Sequence, residues 1–248
     1  MSRATGCRMW IGAALVAAGA LSAAPAAAQA PVTGLPLVEV PAAGPRSGDL
    51  IAVILTADGG WAALDRGVAD DLARGGIPVV GWSSLDYYRK PRTPDEAAGD
   101  LARVLRHYLP AWGGRRALLI GYSFGADVLP LLVNRLPVDL RARIAGITLI
   151  GFSPSAVFEF HMTEWVGMVR GRQYATLPEV RRLRDVPVLC VYGVTDHAEA
   201  CGRLGMANAT LVAIPSGHSM GSVSGRVGAV VLRQARELLH PAAAQAGT

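Results

Sequence analysis

Three short stretches of the chain hold residue types that together activate a hydroxyl for attack on a carbonyl. "GYSFGADVLP", residues 121–130, sets Ser123 between two glycines directly after the apolar run Ala117-Leu118-Leu119-Ile120. "VYGVTDHAEAC" carries Asp196, and "VAIPSGHSM" carries His218. A serine hydroxyl is a weak nucleophile at neutral pH, so it needs a base, and the base needs a carboxylate to orient it. Serine, then acid, then histidine is the chain order found where the nucleophile sits on a sharp turn between a strand and a helix. Glu199, three residues past Asp196, is the reserve acid. His107, His161, His197 and His240 are weaker bases because none follows a strand at the expected place.

Attack on an ester builds an oxyanion that two backbone amides must meet. One expected donor is Phe124, the residue after the nucleophile. The other is expected in "TADGGW", residues 56–61, where Gly59 and Gly60 permit close approach.

Apolar runs of strand length recur at 36–41, 51–56, 78–82, 117–121, 147–152, 186–192 and 209–214. Their near-continuous Val, Ile and Leu imply burial on both faces, hence a mostly parallel sheet. Helical patterns lie between them. The segment 93–108 is the best specified, with Thr93 as N-cap, Pro94 at the first helical position, Glu96 completing a capping box, and Ala97, Leu101, Val104, Leu105 and Tyr108 on one face. Further helices are expected at 64–72, after Ser123, and at 224–239, with Pro130 bending the second of these. Strands alternating with helices give a three-layer α/β domain over residues 31–240, whose ligand site lies at the carboxyl ends of the strands. Residues 153–182 break the rhythm with Phe158, Phe160, Trp165 and Met168, and read either as a small cap inserted over the site or as an ordinary helix with irregular ends.

Residues 1–30 have the form of a secretory signal: Arg3 and Arg8, an apolar stretch from Met9 to Ala24, then small residues that permit cleavage near Ala28 or Ala30. Losing it lowers the formal net charge from +5 to +3, because those two arginines leave and no acid does. That mild charge suits loose attraction to anionic lipid. No basic run or aromatic-interleaved patch of the kind nucleic acid requires is present. Cys190 and Cys201 are the two cysteines left, an even number in an oxidising compartment, and predict one disulfide. Their spacing matches neither a zinc site nor a CxxC redox motif, and no metal or cofactor is expected. Residues 241–248 read as a frayed tail.

"ADGGWAALD", "GIPVVGWSSLDYYRKPRTPDEAAGDLARVLRHY", "GYSFGADVLPLLVNRLP", "FEFHMTEWVG" and "LCVYGVTDHAEAC" together resemble the AcvB/VirJ family of periplasmic bacterial proteins, from about Asp49 to Leu238. The resemblance implies an α/β-hydrolase fold and hydrolysis of the aminoacyl ester of lysyl-phosphatidylglycerol at the membrane surface. It also implies a link to type IV secretion, and so a possible secretion-system partner. By position, Ser123 is similar to the family nucleophile and His218 to its base. A lysyl ester brings two ammonium groups, so carboxylates outside the triad are expected at the acyl side. Asp58, Asp86, Glu159 and Glu164 are the candidates, with Trp61 as a neighbouring substrate contact. A general carboxylesterase and a non-catalytic binding or chaperone module are the alternatives. Labelling by a fluorophosphonate separates the catalytic readings from the last.

Overall fold

The computed structural model describes Met1, residues 32–159 and residues 172–240. The expected signal peptide, the tail at 241–248 and the candidates Glu164 and His161 lie outside the described residues.

Among the described residues, nine strands and seven α-helices follow one another in chain order: β1 (Leu37–Val40), β2 (Leu50–Leu55), α1 (Ala63–Arg74), β3 (Val79–Trp82), α2 (Ser84–Tyr87), α3 (Pro94–Ala111), β4 (Arg116–Tyr122), α4 (Phe124–Val133), α5 (Val138–Arg141), β5 (Ile144–Ile150), β6 (Ser155–Ala156), β7 (Tyr174–Ala175), α6 (Thr176–Arg181), β8 (Val188–Gly193), β9 (Ala209–Ile214) and α7 (Ser224–Leu239). Seven strands form one sheet in the order β1-β3-β2-β4-β5-β8-β9. Every neighbouring pair is parallel except β1 with β3. Each strand the apolar runs predict is present, and this sheet wrapped by helices is the α/β-hydrolase fold.

The two-residue period of a strand sorts its side chains into two cores. Along β2, Leu50, Ala52 and Ile54 pack with Leu64, Val68 and Leu72 of α1 and Val227 and Val231 of α7. Ile51, Val53 and Leu55 point the other way, toward Leu101, Val104 and Leu105 of α3 and Val128 and Leu132 of α4. All six residues of β2 are buried, which is why the run carries no polar alternation. Helix α3 begins as its sequence dictates. Thr93 Oγ1 accepts from the Glu96 amide at 3.2 Å, and Glu96 Oε2 accepts from the Thr93 amide at 2.7 Å. Helix α4 runs through Pro130 to Val133.

Of the expected cap at 153–182, residues 160–171 lie outside the described residues. On either side of them β6 and β7 pair antiparallel. Beyond them, α6 buries Leu177 and Val180 in the core shared with α4 and belongs to the main domain. The three short helices α2, α5 and α6 escape the periodicity argument because four to six residues complete barely one turn.

Candidate active site

Ser123 is the only non-glycine residue with positive φ among the described residues, at φ 50° and ψ −114°. Such a conformation costs about 1–3 kcal/mol and persists only where the surroundings enforce it. Here the enforcement is steric. A Cβ on Gly121 would lie 2.5 Å from the backbone of Gly125 and Ala126, and one on Gly125 would lie 2.1 Å from the carbonyl oxygen of Leu55. The glycines of "GYSFG" therefore let strand β4, helix α4 and the end of β2 pass within backbone contact, and the turn pressed between them presents the serine. The Ser123 amide donates to the Ile150 carbonyl at 2.8 Å, tying the turn to β5 as well.

The other two members arrive on the loops after β8 and β9. A Cβ on Gly193 would meet the Gly217 carbonyl at 2.3 Å, so only glycine lets these loops cross. Thr195 then fastens them, its amide and hydroxyl both donating to the Ser216 carbonyl, at 3.2 and 3.1 Å. The Cys190–Cys201 disulfide forms as predicted, with Cα atoms 5.7 Å apart, and closes the acid loop onto the buried centre of β8.

Ser123 Oγ lies 2.7 Å from His218 Nε2, and His218 Nδ1 lies 2.7 Å from Asp196 Oδ2. A carboxylate can only accept, so Nδ1 carries the ring proton and Nε2 is left to accept from the serine hydroxyl. The Asp196 side chain is 4 % exposed, which keeps water from competing for the imidazole, whereas the His218 ring is 43 % exposed and open to a substrate. Tyr122 lies nearly parallel to the His218 ring, 6.4 Å between centroids. Its hydroxyl donates to the His218 carbonyl at 3.3 Å and accepts from the Met220 amide at 3.4 Å, holding the histidine loop from below.

Glu199 faces elsewhere: its Oε2 accepts from the Cys201 amide at 2.6 Å, capping the turn 201–203, and it takes no part in the relay. Phe124 opens α4 directly after the nucleophile. The loop after β2 lies against this turn, since Gly125 abuts the carbonyls of both Leu55 and Thr56. Within that loop the Gly60 amide closes a turn onto the Ala57 carbonyl at 3.1 Å, so of the two glycines expected there Gly59 is left as the candidate second donor.

The expected substrate contacts separate. Asp58 is exposed; burial raises the Tyr122 hydroxyl pKa, and the charges of Asp65 and Asp58 add to that rise. Asp86 is turned away by its own helix, accepting from Ser83 Oγ at 2.7 Å and pairing with Arg89 at 3.3 Å. Glu159 lines a cavity with Arg92 and Arg172. Trp61 is structural in position: its ring lies over Gly81 of β3, where any side chain would collide with it.

One residue of the site escaped the sequence argument. Asp127, one helical turn after Ser123, has Oδ1 2.7 Å from the Ser153 amide that donates to it. Burial pushes its carboxyl up to about 8 against the hydrogen bonds from Ser153, so at neutral pH it holds a proton. The signal was present in "GYSFGAD": an acid four residues after the nucleophile shares its helix face.

Among the described residues no cluster of His, Cys, Asp and Glu has a metal-holding arrangement, and no helix is long and apolar enough to cross a membrane. A cavity of about 580 Å³ lies at the opposite ends of the strands, between the starts of β8 and β9 and the end of α7, away from Ser123.

Solved structures with this fold include Est1E from Butyrivibrio proteoclasticus, 16 % identical, TM-score 0.57, covering 82 % of this chain and 96 % of that one. An esterase domain from a Rhodothermus marinus protein is 15 % identical with TM-score 0.57, covering 81 % and 98 %. LpqC, a poly(3-hydroxybutyrate) depolymerase from Bordetella parapertussis, is 17 % identical with TM-score 0.53, covering 82 % and 86 %. Comparison with curated proteins finds no match. The family model described as bacterial virulence protein (VirJ) matches residues 49–238, which hold six of the seven strands of the main sheet, all but β1, and all three residues of the relay, and the chain belongs to that family.

Proposed function

We propose that this protein is a serine esterase that removes the aminoacyl group from an aminoacylated phosphatidylglycerol, lysyl-phosphatidylglycerol in the first place, at the periplasmic membrane surface. The observation that carries the reading is the continuous relay from Ser123 Oγ through His218 to the buried carboxylate of Asp196, anchored on three separate strand ends. A pure binding module has no use for a serine held in so costly a conformation.

In this reading His218 Nε2 takes the Ser123 proton as Oγ bonds to the ester carbonyl carbon. The oxyanion that forms is met by the Phe124 amide and by a donor from the loop after β2. Collapse breaks the bond to the glycerol oxygen, which leaves with the proton from His218 as phosphatidylglycerol. Water, deprotonated by the same ring, then releases lysine from the acyl-enzyme. Asp196 orients the imidazole and stabilises the imidazolium that forms. Of the acids expected to receive the ammonium groups, Asp58 is the one best placed, being exposed and beside the site. The lysyl preference and the periplasmic location rest on the family resemblance and on the signal-like amino terminus.

The test is to give purified protein lysyl-phosphatidylglycerol, alanyl-phosphatidylglycerol and a short-chain neutral ester, with fluorophosphonate labelling in parallel. Wild type should label at Ser123 and release lysine, while Ser123→Ala and His218→Ala should each lose at least about 10⁴-fold in kcat. A wild type that neither labels nor releases an amino acid overturns the enzymatic reading. One that cleaves only the short-chain ester overturns the lipid substrate.

A further inference from the structure

A cavity of about 160 Å³ is lined by Arg92, Phe158, Glu159, Arg172 and Tyr174. A space of this size has room for a tetrahedral oxyanion with its hydration. Both guanidinium groups are held by rings: Arg92 lies over Tyr87 at 4.7 Å and Arg172 over Tyr174 at 5.1 Å. Stacking of this kind fixes a guanidinium while leaving its charge uncancelled. Among the described residues no carboxylate forms a salt bridge with either, in contrast to Arg103, Arg116, Arg141 and Arg182, each of which holds an aspartate or glutamate. The Nε of Arg92 is buried and has no hydrogen-bond partner, a costly state for a charged donor that an entering acceptor would relieve. Within the cavity lining Glu159 contributes one negative charge against the two positive ones, and outside it Glu96 lies close enough to Arg92 to feel its charge.

Its place relative to the nucleophile follows from ring contacts. Phe158 meets the Tyr88 ring at 5.8 Å, and Tyr88 meets the Phe124 ring at 4.8 Å. Phe124 is the residue after Ser123. The loop bearing Arg92 is also tied to this wall, because the Arg92 amide donates to the Phe158 carbonyl at 3.0 Å. Phe158, on the wall of this cavity, thus stands two ring contacts from the nucleophile's neighbour, with Arg92 held on Tyr87 and Arg172 on Tyr174 around it. We propose that Arg92 and Arg172 form a phosphate-binding subsite that anchors the phosphodiester of the substrate while its ester reaches Ser123. This rests on the esterase reading above, in whose substrate a single glycerol separates the scissile ester from the phosphodiester. It also gives Glu159 a different role from the ammonium site its sequence suggested: a carboxylate sharing a cavity with two guanidiniums tempers anion binding.

The probes are glycerophosphoglycerol, the soluble headgroup, and inorganic phosphate, titrated calorimetrically into full-length Ser123→Ala protein at low salt. The headgroup should bind, and binding should weaken at least 10-fold in Arg92→Gln and in Arg172→Gln. Arg92→Lys should keep part of it, since it retains the charge without the planar fork. In the active enzyme the ratio of kcat/KM for the phosphodiester lipid to that for a phosphate-free lysyl ester should fall about 10-fold in the same variants, chiefly through KM. Arg172 is exposed, so Arg172→Gln tests the idea even if replacing Arg92 disturbs packing on Tyr87. Arginine-dependent binding of inorganic phosphate alone would assign the site to free phosphate and remove the lipid from it. Headgroup binding that is absent in wild type, or equal in wild type and both variants, overturns the subsite. Should the wild type cleave no aminoacyl lipid yet bind the headgroup through both arginines, the esterase reading falls and the subsite stands. Cleavage with unchanged KM in both variants has the reverse meaning.

Discussion

Asp127 makes the fold less stable at neutral pH, and replacing it with asparagine should show by how much. Its carboxyl, free to ionise near 3.8 in an unfolded chain, is pushed up to about 8 by burial one turn past Ser123. Below pH 3.8 both states hold the proton, and the group leaves stability unaffected. Between 3.8 and about 8 the unfolded chain releases the proton while the folded chain keeps it, so stability is lost as pH rises and the loss is complete once pH passes the folded value. Each pH unit of that window is worth about 1.4 kcal/mol, giving an upper limit of about 6 kcal/mol. The side chain is only half-buried, and water at its edge lowers the expectation to about 2–3 kcal/mol. An asparagine in its place would present a similar shape, still accept from the Ser153 amide, and never ionise. Asp127→Asn should therefore match wild type in urea midpoint at pH 4 and exceed it by about 2–3 kcal/mol at pH 8. Reading the difference between the two proteins cancels other titrating groups, Asp65 among them, whose carboxyl burial raises to about 6. Parallel stability curves from pH 4 to 8 would refute the reasoning.

Other substitutions probe the supports of the site. Gly125→Ala should cost about 3 kcal/mol, at the upper end of what overpacking costs, because the new methyl would lie 2.1 Å from the Leu55 oxygen. Gly59→Ala, with nothing within 4 Å of its methyl, should stay within about 0.5 kcal/mol; equal melting-temperature losses for the two would contradict the steric account. Replacing Cys190 and Cys201 together with alanine should cost about 3 kcal/mol in denaturant unfolding and lower kcat by loosening the loop that holds Asp196; an unchanged midpoint and kcat would show the bridge to be idle. Asp58→Asn should lower kcat/KM for the lysyl lipid about 10-fold relative to the alanyl lipid, and an equal change for both would remove Asp58 from ammonium recognition.

Much of this protein was legible before any coordinate. Strand runs buried on both faces announce themselves as unbroken Val, Ile and Leu, and the capping box at Thr93 fixes the start of α3, because both signals are local. The order Ser123, Asp196, His218 and the even cysteine count are likewise properties of the chain, and the elbow glycines follow from needing a sharp turn. Distance and burial are not local, and they decided the rest. Asp196 and Glu199 are interchangeable as letters three residues apart, but only the crossing of two loops at Gly193 aims the first at His218, while the second caps its own turn. The four substrate acids look alike in sequence, yet Asp86 is consumed by its close chain neighbours Ser83 and Arg89, while Glu159 shares its space with Arg172 and with Arg92, which comes from elsewhere in the fold. Asp127 and the buried, unpartnered Nε of Arg92 became visible last, for the same reason: what distinguishes them is the water that tertiary packing takes away.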